Sequence, residues 1–361
     1  MEKIHETCGL CGKQHDITTM TEFDDRMLCA DCLDKYTTLC DDCGTRVWMG
    51  DAISDRHTTI CYTCFDNNYF RCYECGSIIY QDDACTYDGE DYCEACYDDI
   101  RETNCTIRSY GYKPTPLFCP PYQPENLYLG VELEIDEGGE DRNNARALLD
   151  LANEERENIY CKHDGSLSDG IELVTHPQTL EEHMTNMPWE ALCEKALDMG
   201  YLSHDAGTCG LHVHVSRAAF GSREEQEEVI GRILYFVEAH WDKLLIFSRR
   251  TQSQLDRWAA RYGMKDTPKE VLDNAKRSDI GRYACVNLLN RDTIEFRIFR
   301  GSLKYKTLIA ALQLTDSLCK AAISMSDEEF RDMTWAEFVS GIEHKELIEY
   351  LKHRRIYGEA R

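Results

Sequence analysis

The chain has 361 residues, 42% apolar and 29% charged, a globular composition that makes two folding units the first expectation and excludes wholesale disorder. It carries 66 acidic and 40 basic residues, and a formal charge of -26 disfavours nucleic acid and anionic membranes as partners. No apolar stretch approaches the roughly 20 residues that span a bilayer, and the first residues lack the apolar core of a signal peptide. We therefore expect a cytoplasmic protein, in which cysteines favour metal binding over disulfides.

Twelve of the twenty cysteines form six Cys-x2-Cys pairs, which repeat with a period of 32 residues in three units. The units contain Cys8, Cys11, Cys29 and Cys32; Cys40, Cys43, Cys61 and Cys64; and Cys72, Cys75, Cys93 and Cys96. Gly12, Gly44 and Gly76 follow the second cysteine of each unit, where a tight turn needs a residue without a Cβ. The remaining cysteines have no such spacing and are expected to be ordinary thiols: Cys85, Cys105, Cys119, Cys161, Cys193, Cys209, Cys285 and Cys319.

Four thiolates at this spacing are typical of a closed tetrahedral zinc site, so the repeat predicts three structural zinc ions. Metal would supply the stability that modules of about 25 residues cannot obtain from a core. Residues 1–104 carry 23 acidic and 8 basic residues, a charge of -15 that favours docking of a protein or peptide over reading of DNA. Sequential pairing within a unit and an interleaved cross-brace both remain open.

The modules, at about 8–32, 40–64 and 72–96, resemble LIM-type and zinc-ribbon modules. They depart from the LIM pattern because they lack the His before the second pair and place seven residues, rather than two, between fingers. Five of the eight prolines then lie within residues 105–124, which predicts a stiff linker to a second domain at 125–361. Capping boxes predict helices after Ser222, Ser326 and Thr334. Apolar spacing predicts helices over 308–322, 142–156 and 189–199.

Four segments of this second domain alternate apolar and polar residues as half-buried strands do. Taken singly, each is typical of a sheet with one solvent-exposed face. Together their polar faces hold only Glu, His and Arg, which bind divalent cations and phosphate, and a cupped antiparallel sheet would bring them to one point. The residues are Glu132, Glu134, Glu172, His212, His214, Glu295 and Arg297.

A carboxylate-rich site without thiolates suits Mg²⁺ or Mn²⁺, which proteins usually bind together with substrate phosphates. The sequence therefore predicts nucleotide chemistry. Neither a P-loop nor a Gly-x-Gly-x2-Gly turn is present, so an ATP site would have to be centred on metal. His-Glu-x2-His and Gly-x-Ser-x-Gly motifs are also missing, which removes the usual support for a hydrolase.

The second domain resembles the amidoligase family, carboxylate–amine ligases with the glutamine synthetase fold. Four segments carry the resemblance, in order and over about 170 residues: 129–135, 164–177, 209–215 and 287–301. The resemblance implies an α+β fold with a curved antiparallel sheet of glutamine synthetase type and helices on one side. It also implies an ATP-dependent ligase that forms an amide, or isopeptide-like, bond through an acyl phosphate.

In the family's site, one Mg²⁺ or Mn²⁺ ion would be held by Glu132, His212 and Glu295. A second ion would be held by Glu134 and Glu172, with Asp164 or a water as the further ligand. His214 would face the phosphates, and Arg297 would steady the transferred phosphoryl group or the substrate carboxylate.

Further roles rest on the residues near these motifs. Asp164 is a candidate to position or deprotonate the amine, although an Asp-Gly-Ser turn is as often structural. Arg300, which adjoins the motif strand, is the preferred phosphate contact, with Arg282 and the pair at 249–250 as weaker candidates. Trp258 and Tyr262 could flank a nucleotide, but core packing is the favoured interpretation.

Two other functions are compatible with the sequence. The zinc modules could serve an adaptor in which the ligase fold is only a platform, or the domain could be a phosphotransferase, since guanidino kinases share the fold. The family's substrates range from small amines to peptides, and its ligases often form rings or dimers. Members are frequent in phage and bacterial genomes, so the resemblance implies a phage or bacterial protein, acting in the host-cell cytoplasm if phage-encoded.

Overall fold

The chain folds into two compact units, Met1–Cys105 and Thr106–Arg361. The computed structural model describes residues 4–87, 89–103 and 106–358; Cys105 and the predicted boundary after residue 104 lie outside the described residues. In the part of the chain that is described, the helices are too short or too polar to cross a bilayer.

The first unit repeats one arrangement of two hairpins followed by a short helix. The strands are β1 His5–Thr7, β2 Gln14–Asp16, β3 Met20–Phe23, β4 Arg26–Cys29, β5 Thr37–Leu39, β6 Arg46–Trp48, β7 Ala52–Ser54, β8 Thr59–Cys61, β9 Tyr69–Arg71, β10 Ile78–Tyr80, β11 Cys85–Tyr87 and β12 Glu90–Tyr92. The helices are α1 Ala30–Tyr36, α2 Tyr62–Asn68 and α3 Glu94–Thr103. Consecutive strands pair antiparallel, and each Cys-x2-Cys pair sits at a hairpin or at a helix start.

Each module has only a small apolar core around its cysteines. Leu28 in the first module and Ile60 in the second are fully buried, and the third buries Ile79 and Tyr92. Cores of this size supply little stability, as the sequence predicted for modules that depend on metal.

The second unit contains an eight-stranded sheet in the order β13-β15-β16-β14-β18-β20-β19, with β17 paired to β14. Its strands are β13 Ile107–Arg108, β14 Tyr128–Ile135, β15 Ile159–Lys162, β16 Ile171–Thr175, β17 Gln178–Thr179, β18 Gly210–Ser216, β19 Val286–Asn287 and β20 Thr293–Arg300. The pairing of β13 with β15 is parallel and the other pairings are antiparallel. The unit is therefore α+β with a mostly antiparallel sheet.

Its helices are α4 Arg142–Ala152, α5 Leu180–Thr185, α6 Trp189–Asp198, α7 Arg223–Ala239, α8 Trp241–Ser248, α9 Gln252–Trp258, α10 Pro268–Lys276, α11 Tyr305–Ser324, α12 Asp327–Asp332, α13 Trp335–Ser340 and α14 Lys345–His353. The three predicted capping boxes are confirmed at the starts of α7, α12 and α13. Helix α4 ends at Ala152 rather than residue 156, because the Asn153 side chain accepts N–H groups from Asn158 and Ile159 and turns the chain into β15.

The central strand β14 shows how the sheet separates core from site. Leu129, Val131, Leu133 and Ile135 point to one face and are completely buried in the core, which also includes residues of α7 and α11. The intervening positions place their side chains on the opposite face, as the alternation predicted.

The proline-rich segment contributes to the second unit. Its β13 extends the sheet beside β15, and Cys119 exchanges backbone hydrogen bonds with Pro177 and Thr179 at 3.0 Å each. Residues after 105 are thus tied to the sheet at two points.

Candidate active site and metal centres

Cross-strand pairing brings the predicted ligands together. Residues directly opposite each other on antiparallel strands have neighbouring side chains on the same face. Three such pairs are Glu132 with His212, Glu134 with Glu172, and His214 with Glu295. These strands, β16, β14, β18 and β20, are consecutive in the sheet, so the pairs form one continuous cluster.

Glu132 lies at the centre of the cluster. Its carboxylate oxygens are 3.1 Å from His214 Nε2 and 3.3 Å from His212 Nδ1. His212 in turn lies 3.8 Å from both Glu134 Oε1 and Glu295 Oε1. These distances place all five side chains within reach of a common small ligand.

The arrangement offers two overlapping sets of metal ligands. Ligand atoms lie within 4.8 Å of one another in each of two triads: Glu132, His214 and Glu295, and Glu132, Glu172 and His212. His214 shares the first triad with Glu295, and His212, which the resemblance implied for this ion, also lies close, with Nδ1 3.3 Å from Glu132 and 3.8 Å from Glu295. Glu134 lies beside the second triad, with one oxygen accepting the backbone N–H of Gly210.

Charge and burial in the cluster fit a divalent cation. Burial alone would raise the pKa of Glu132, but the charge of the adjacent His214 and the contact with His212 hold the pKa well below its usual value. The same attraction raises the pKa of His214 to about 9. His214 Nε2 is buried and, although near Glu132, has no hydrogen bond of acceptable geometry. A divalent cation that displaced the proton of this buried imidazole would find a nitrogen ligand beside carboxylates.

Glu172 is the carboxylate in this cluster whose negative charge is not fully balanced by the positive charge nearby. Burial and the neighbouring Glu132 carboxylate raise its pKa well above the usual value, although Lys162 opposes this with Nζ at 3.3 Å from Glu172 Oε2. Lys162 lies directly opposite Glu172 in the β15–β16 pair. A cation at this triad would relieve the repulsion between the carboxylates, so the donor set fits a metal ion.

The cluster forms part of a cavity of about 850 Å³ in the second unit. Among the predicted site residues, Glu132, Glu134, Asp164, Glu172, His212, Arg297 and Arg300 line it. His214 and Glu295 are not among the lining residues. They contact residues that are: His214 contacts Glu132, and Glu295 contacts Arg297. Six Lys and Arg side chains lie in the walls, against four acidic ones, although the chain as a whole is strongly acidic. This local balance favours an anionic ligand.

The guanidinium groups near the carboxylates are held in place. Arg297 Nη1 pairs with Glu295, and Arg300 donates to the backbone carbonyls of Arg249 and His204. Arg250, not Arg249, lines the cavity, and burial lowers its pKa to about 10. Fixed guanidinium groups of this kind suit phosphate or carboxylate recognition.

Gly210 allows this close packing. A Cβ at this position would lie 2.7 Å from His212 Nε2 and 2.8 Å from Arg250 Nη2. No larger residue could occupy the position without displacing a predicted ligand or a cavity cation.

Asp136 fixes the loops around the cavity. Its buried carboxylate accepts the backbone N–H groups of Glu137, Ser168 and Asp169 at 2.7 to 2.9 Å and the Thr208 hydroxyl at 2.7 Å. These contacts join the end of β14 to two loops that line the cavity. Hydrogen bonds to a buried charge are among the stronger ones in proteins.

Asp164 lies on the cavity wall at the start of one of these loops. Its Oδ1 accepts the backbone N–H of Ser166 at 2.7 Å, which is the structural role expected of an Asp-Gly-Ser turn. The other carboxylate oxygen has no hydrogen-bond role in that turn.

One wall of the cavity alternates cations and aromatic rings. Six side chains follow one another in contact: Lys162, Tyr110, Arg282, Tyr283, Trp258 and Arg257. Trp258 and Arg282 therefore lie in the cavity, whereas Tyr262 is not among the lining residues and donates its hydroxyl to the Val286 carbonyl at 3.1 Å.

The structure also adds residues that the sequence interpretation gave no role. Tyr110 comes from the segment expected to be a linker, and Lys162 from a strand that was not predicted. Asn287, buried on β19, donates to Glu295 Oε2 at 2.7 Å and so orients that carboxylate. Asn287 begins the last of the four segments that carry the family resemblance, but only its strand pairing with Glu295 reveals the contact.

The twelve repeated cysteines form three separate clusters, one for each sequential unit, with all sulfur atoms of a cluster within 4.8 Å of one another. Backbone N–H groups point at the sulfurs: that of Cys29 lies 3.4 Å from Cys8 Sγ, and that of Cys61 lies 3.3 Å from Cys40 Sγ. Hydrogen bonds from the N–H groups of Cys11 and Cys29 lower the pKa of Cys8 to about 6. Gly12, Gly44 and Gly76 have φ near +70°, as the turn required. The clusters fit four-thiolate zinc.

Comparison with known proteins identifies one family similarity. A family model described as "Putative amidoligase enzyme" matches residues 149–319, a region that includes Glu172, His212, His214, Glu295 and Arg297 but not β14. This similarity supports an ATP-dependent ligase in general.

Among solved structures, one similar chain is a bifunctional glutathione synthetase from Pasteurella multocida, with 13% identity and a TM-score of 0.34. The alignment covers 65% of this chain and 47% of the synthetase, so the chain spans about half the length of that protein. No curated protein matches the sequence.

Proposed function

We propose that this protein is an ATP-dependent ligase that joins a carboxylate to an amine through an acyl phosphate, on a sheet of glutamine synthetase type. The observation that carries the proposal is the convergence of three carboxylates and two imidazoles from four adjacent strands beside one cation-lined cavity, into which three of the five open. The family similarity over residues 149–319 supports the same class of reaction.

In this reaction a substrate carboxylate oxygen attacks the γ-phosphorus of ATP, and ADP leaves. The amine nitrogen then attacks the acyl carbon, inorganic phosphate leaves, and the amine loses a proton. Arg297 and Arg300 would neutralise charge on the phosphoryl group, and Asp164 is the candidate to take the proton. Mg²⁺ or Mn²⁺ at the two triads would neutralise the phosphates and hold them in line.

The alternating wall is the part of the cavity suited to the nucleotide base. Trp258 and Tyr283 pack edge-to-face, so one of the two rings can stack on a planar base, and Arg257 and Arg282 can pair with anionic groups. Quenching of the fluorescence of Trp258 by ATP, but not by inorganic triphosphate, would support this location. Equal quenching in Trp258→Phe would show that other tryptophans report the signal.

Metal binding gives a first test that needs no substrate. Calorimetry with Mn²⁺ should detect binding to the natural protein and about tenfold or greater loss in Glu132→Gln, because both triads use that carboxylate. Glu125→Gln, which alters an exposed carboxylate on the same unit, serves as the matched control. Equal binding in all three proteins would contradict the proposed ligand set.

Product analysis tests the reaction. The protein is incubated with ATP, Mg²⁺ and a cell lysate, and mass spectrometry searches for products lighter by one water than the sum of two lysate components. Glu132→Gln should abolish both these products and ADP release, and Glu125→Gln should retain both. ADP release with a phosphorylated product and no condensed product would instead favour a phosphotransferase.

The three zinc modules together, residues 1–104, are called the zinc array. This acidic array is proposed to dock a protein or peptide substrate. Its charge of -15 over residues 1–104 opposes binding to nucleic acid, and closed four-thiolate sites leave no open position for catalysis. This role is independent of the residues that would perform the ligation.

A further inference from the structure

The first two zinc modules enclose a groove of about 330 Å³, here called the junction groove. Its lining residues are Leu10, Arg26, Lys35, Tyr36, Trp48, Met49 and Gly50. The first four come from the first module and the others from the second. Three of its large apolar side chains are unusually exposed: Leu10 at 37%, Tyr36 at 45% and Met49 at 54%.

The floor of the junction groove is held by contacts between the two modules. Trp48 packs edge-to-face against Phe23, with ring centroids 5.0 Å apart. Its indole Nε1 donates to Asp24 Oδ2 at 2.9 Å. The groove therefore has a fixed base, and its exposed apolar side chains form the rim.

The charge of the junction groove is opposite to that of its surroundings. Arg26 and Lys35 are the charged residues of its lining, although the array has almost three acidic residues for each basic one. Lys35 Nζ lies 5.2 Å from the centre of the Tyr36 ring, so the cation and the apolar rim are adjacent. An occupant with carboxylates next to an apolar side chain would complement both features.

The repeat provides an internal comparison, because the junction between the second and third modules has the same spacing. Positions 32 residues further along the chain from the lining residues are Asp42, Thr58, Asn67, Asn68, Tyr80, Gln81 and Asp82. There, the counterparts of Leu10 and Tyr36 are Asp42 and Asn68, which hydrogen-bond to each other at 3.3 Å. The module fold therefore forms this junction with polar residues, and stability does not require the apolar rim of the first one.

We infer that the junction groove binds a short acidic peptide segment by one large apolar side chain, with flanking carboxylates paired to Arg26 and Lys35. The inference rests on the proposed docking role of the array, and it names the surface and the chemistry of the partner. A cavity of this size is at the lower end of the range for ligand sites, so it suits one anchor side chain rather than a folded domain.

The binding test uses the full chain loaded with zinc, without ATP. The probe is the fluorescein-labelled peptide Asp-Glu-Leu-Phe-Glu-Asp. Its binding is measured by fluorescence anisotropy at about 0.15 M salt, which screens the repulsion from the rest of the acidic array. Two matched peptides separate the contribution of the acidic side chains from that of the apolar ones. Asn-Gln-Leu-Phe-Gln-Asn lacks the acidic side chains, and Asp-Glu-Ser-Ser-Glu-Asp lacks the apolar ones. Each should bind about tenfold more weakly than the probe.

The variants use residues that occur at the same positions of the junction between the second and third modules, where the module fold tolerates them. Leu10→Asp combined with Tyr36→Asn copies the hydrogen-bonded pair of the second junction, and Met49→Gln copies Gln81. Both variants should weaken probe binding about tenfold or more, with an unchanged zinc content that shows folded modules. Gln81→Met, the reciprocal change, is the control and should leave affinity unchanged.

Several outcomes would overturn the inference. They are undetectable binding of the probe, equal binding of the uncharged peptide, or full affinity in Leu10→Asp with Tyr36→Asn. Because the assay contains no ATP and the groove lies in the first unit, undetectable binding of the probe to a natural protein that still performs ligation would reject only the groove. Peptide binding without any condensed product would reject only the proposed reaction.

Discussion

The buried His183 links stability to pH beneath the strand that carries Glu132. This side chain of α5 is completely buried; its Nε2–H donates to the Leu129 carbonyl of β14 at 3.1 Å, and its Nδ1 accepts from Trp189 Nε1 at 3.4 Å. Burial lowers the pKa of His183 from 6.5 to about 4. The native structure therefore requires the neutral imidazole.

The change of stability with pH follows from the pKa of His183 in the unfolded chain, 6.5, and in the folded chain, about 4. Between pH 6.5 and about 4 the unfolded chain binds a proton at His183 that the folded chain does not. Its contribution to stability is thus fully present above pH 6.5 and is lost as the pH falls towards 4. Lowering the pH from 7 to 5 should remove about 2 kcal/mol of stability through this one group.

His183→Gln removes the titration and retains a donor for the Leu129 carbonyl. Urea unfolding of both proteins at pH 7 and pH 5 should show the stability difference shrinking by about 2 kcal/mol at the lower pH. The zinc array is identical in both, so its own pH dependence cancels in the difference. The exposed His353, changed to Gln, is the control and should follow the natural protein. Parallel curves for His183→Gln and the natural protein would refute the reasoning.

Three further predictions concern the metals and the loops. Cys72→Ser should leave about two zinc ions per chain instead of three by atomic emission, because a closed site needs all four thiolates; three retained ions would contradict the modular assignment. Asn287→Ala should weaken Mn²⁺ binding about 10- to 100-fold by calorimetry, because Asn287 orients Glu295 from outside the triad, and an unchanged affinity would reject that role. Asp136→Ala should lower the free energy of unfolding by about 3 kcal/mol or more, since four donors lose a buried charged acceptor; a loss below about 1 kcal/mol would reject this account.

The features that depend on local spacing could be predicted from the sequence. The cysteine clusters follow from a fixed repeat, because two Cys-x2-Cys pairs can meet without help from the rest of the fold. The faces of β14 follow from strict alternation, which placed Leu133 in the core and Glu132 on the site face.

The features that depend on register could not be predicted in this way. The pairing of β18 with β20 shifts by one residue at a bulge between Leu211 and Val213. If the pairing of Leu211 with Phe299 continued without the bulge, Phe296 rather than Glu295 would lie opposite His214. The bulge thus places His214 beside Glu295, and nothing in the spacing of the His-x-His motif signals it.

Sharing of Glu132 between the two triads has a consequence for any pair of ions that occupies them. A carboxylate that bridges two cations gives up electron density to the first and is a weaker donor to the second, while it also screens their mutual repulsion. Occupancy of one position therefore alters the affinity of the other. A metal titration of the natural protein should depart from the curve for two independent equal sites, and the separation of its two steps would measure the free energy of this communication.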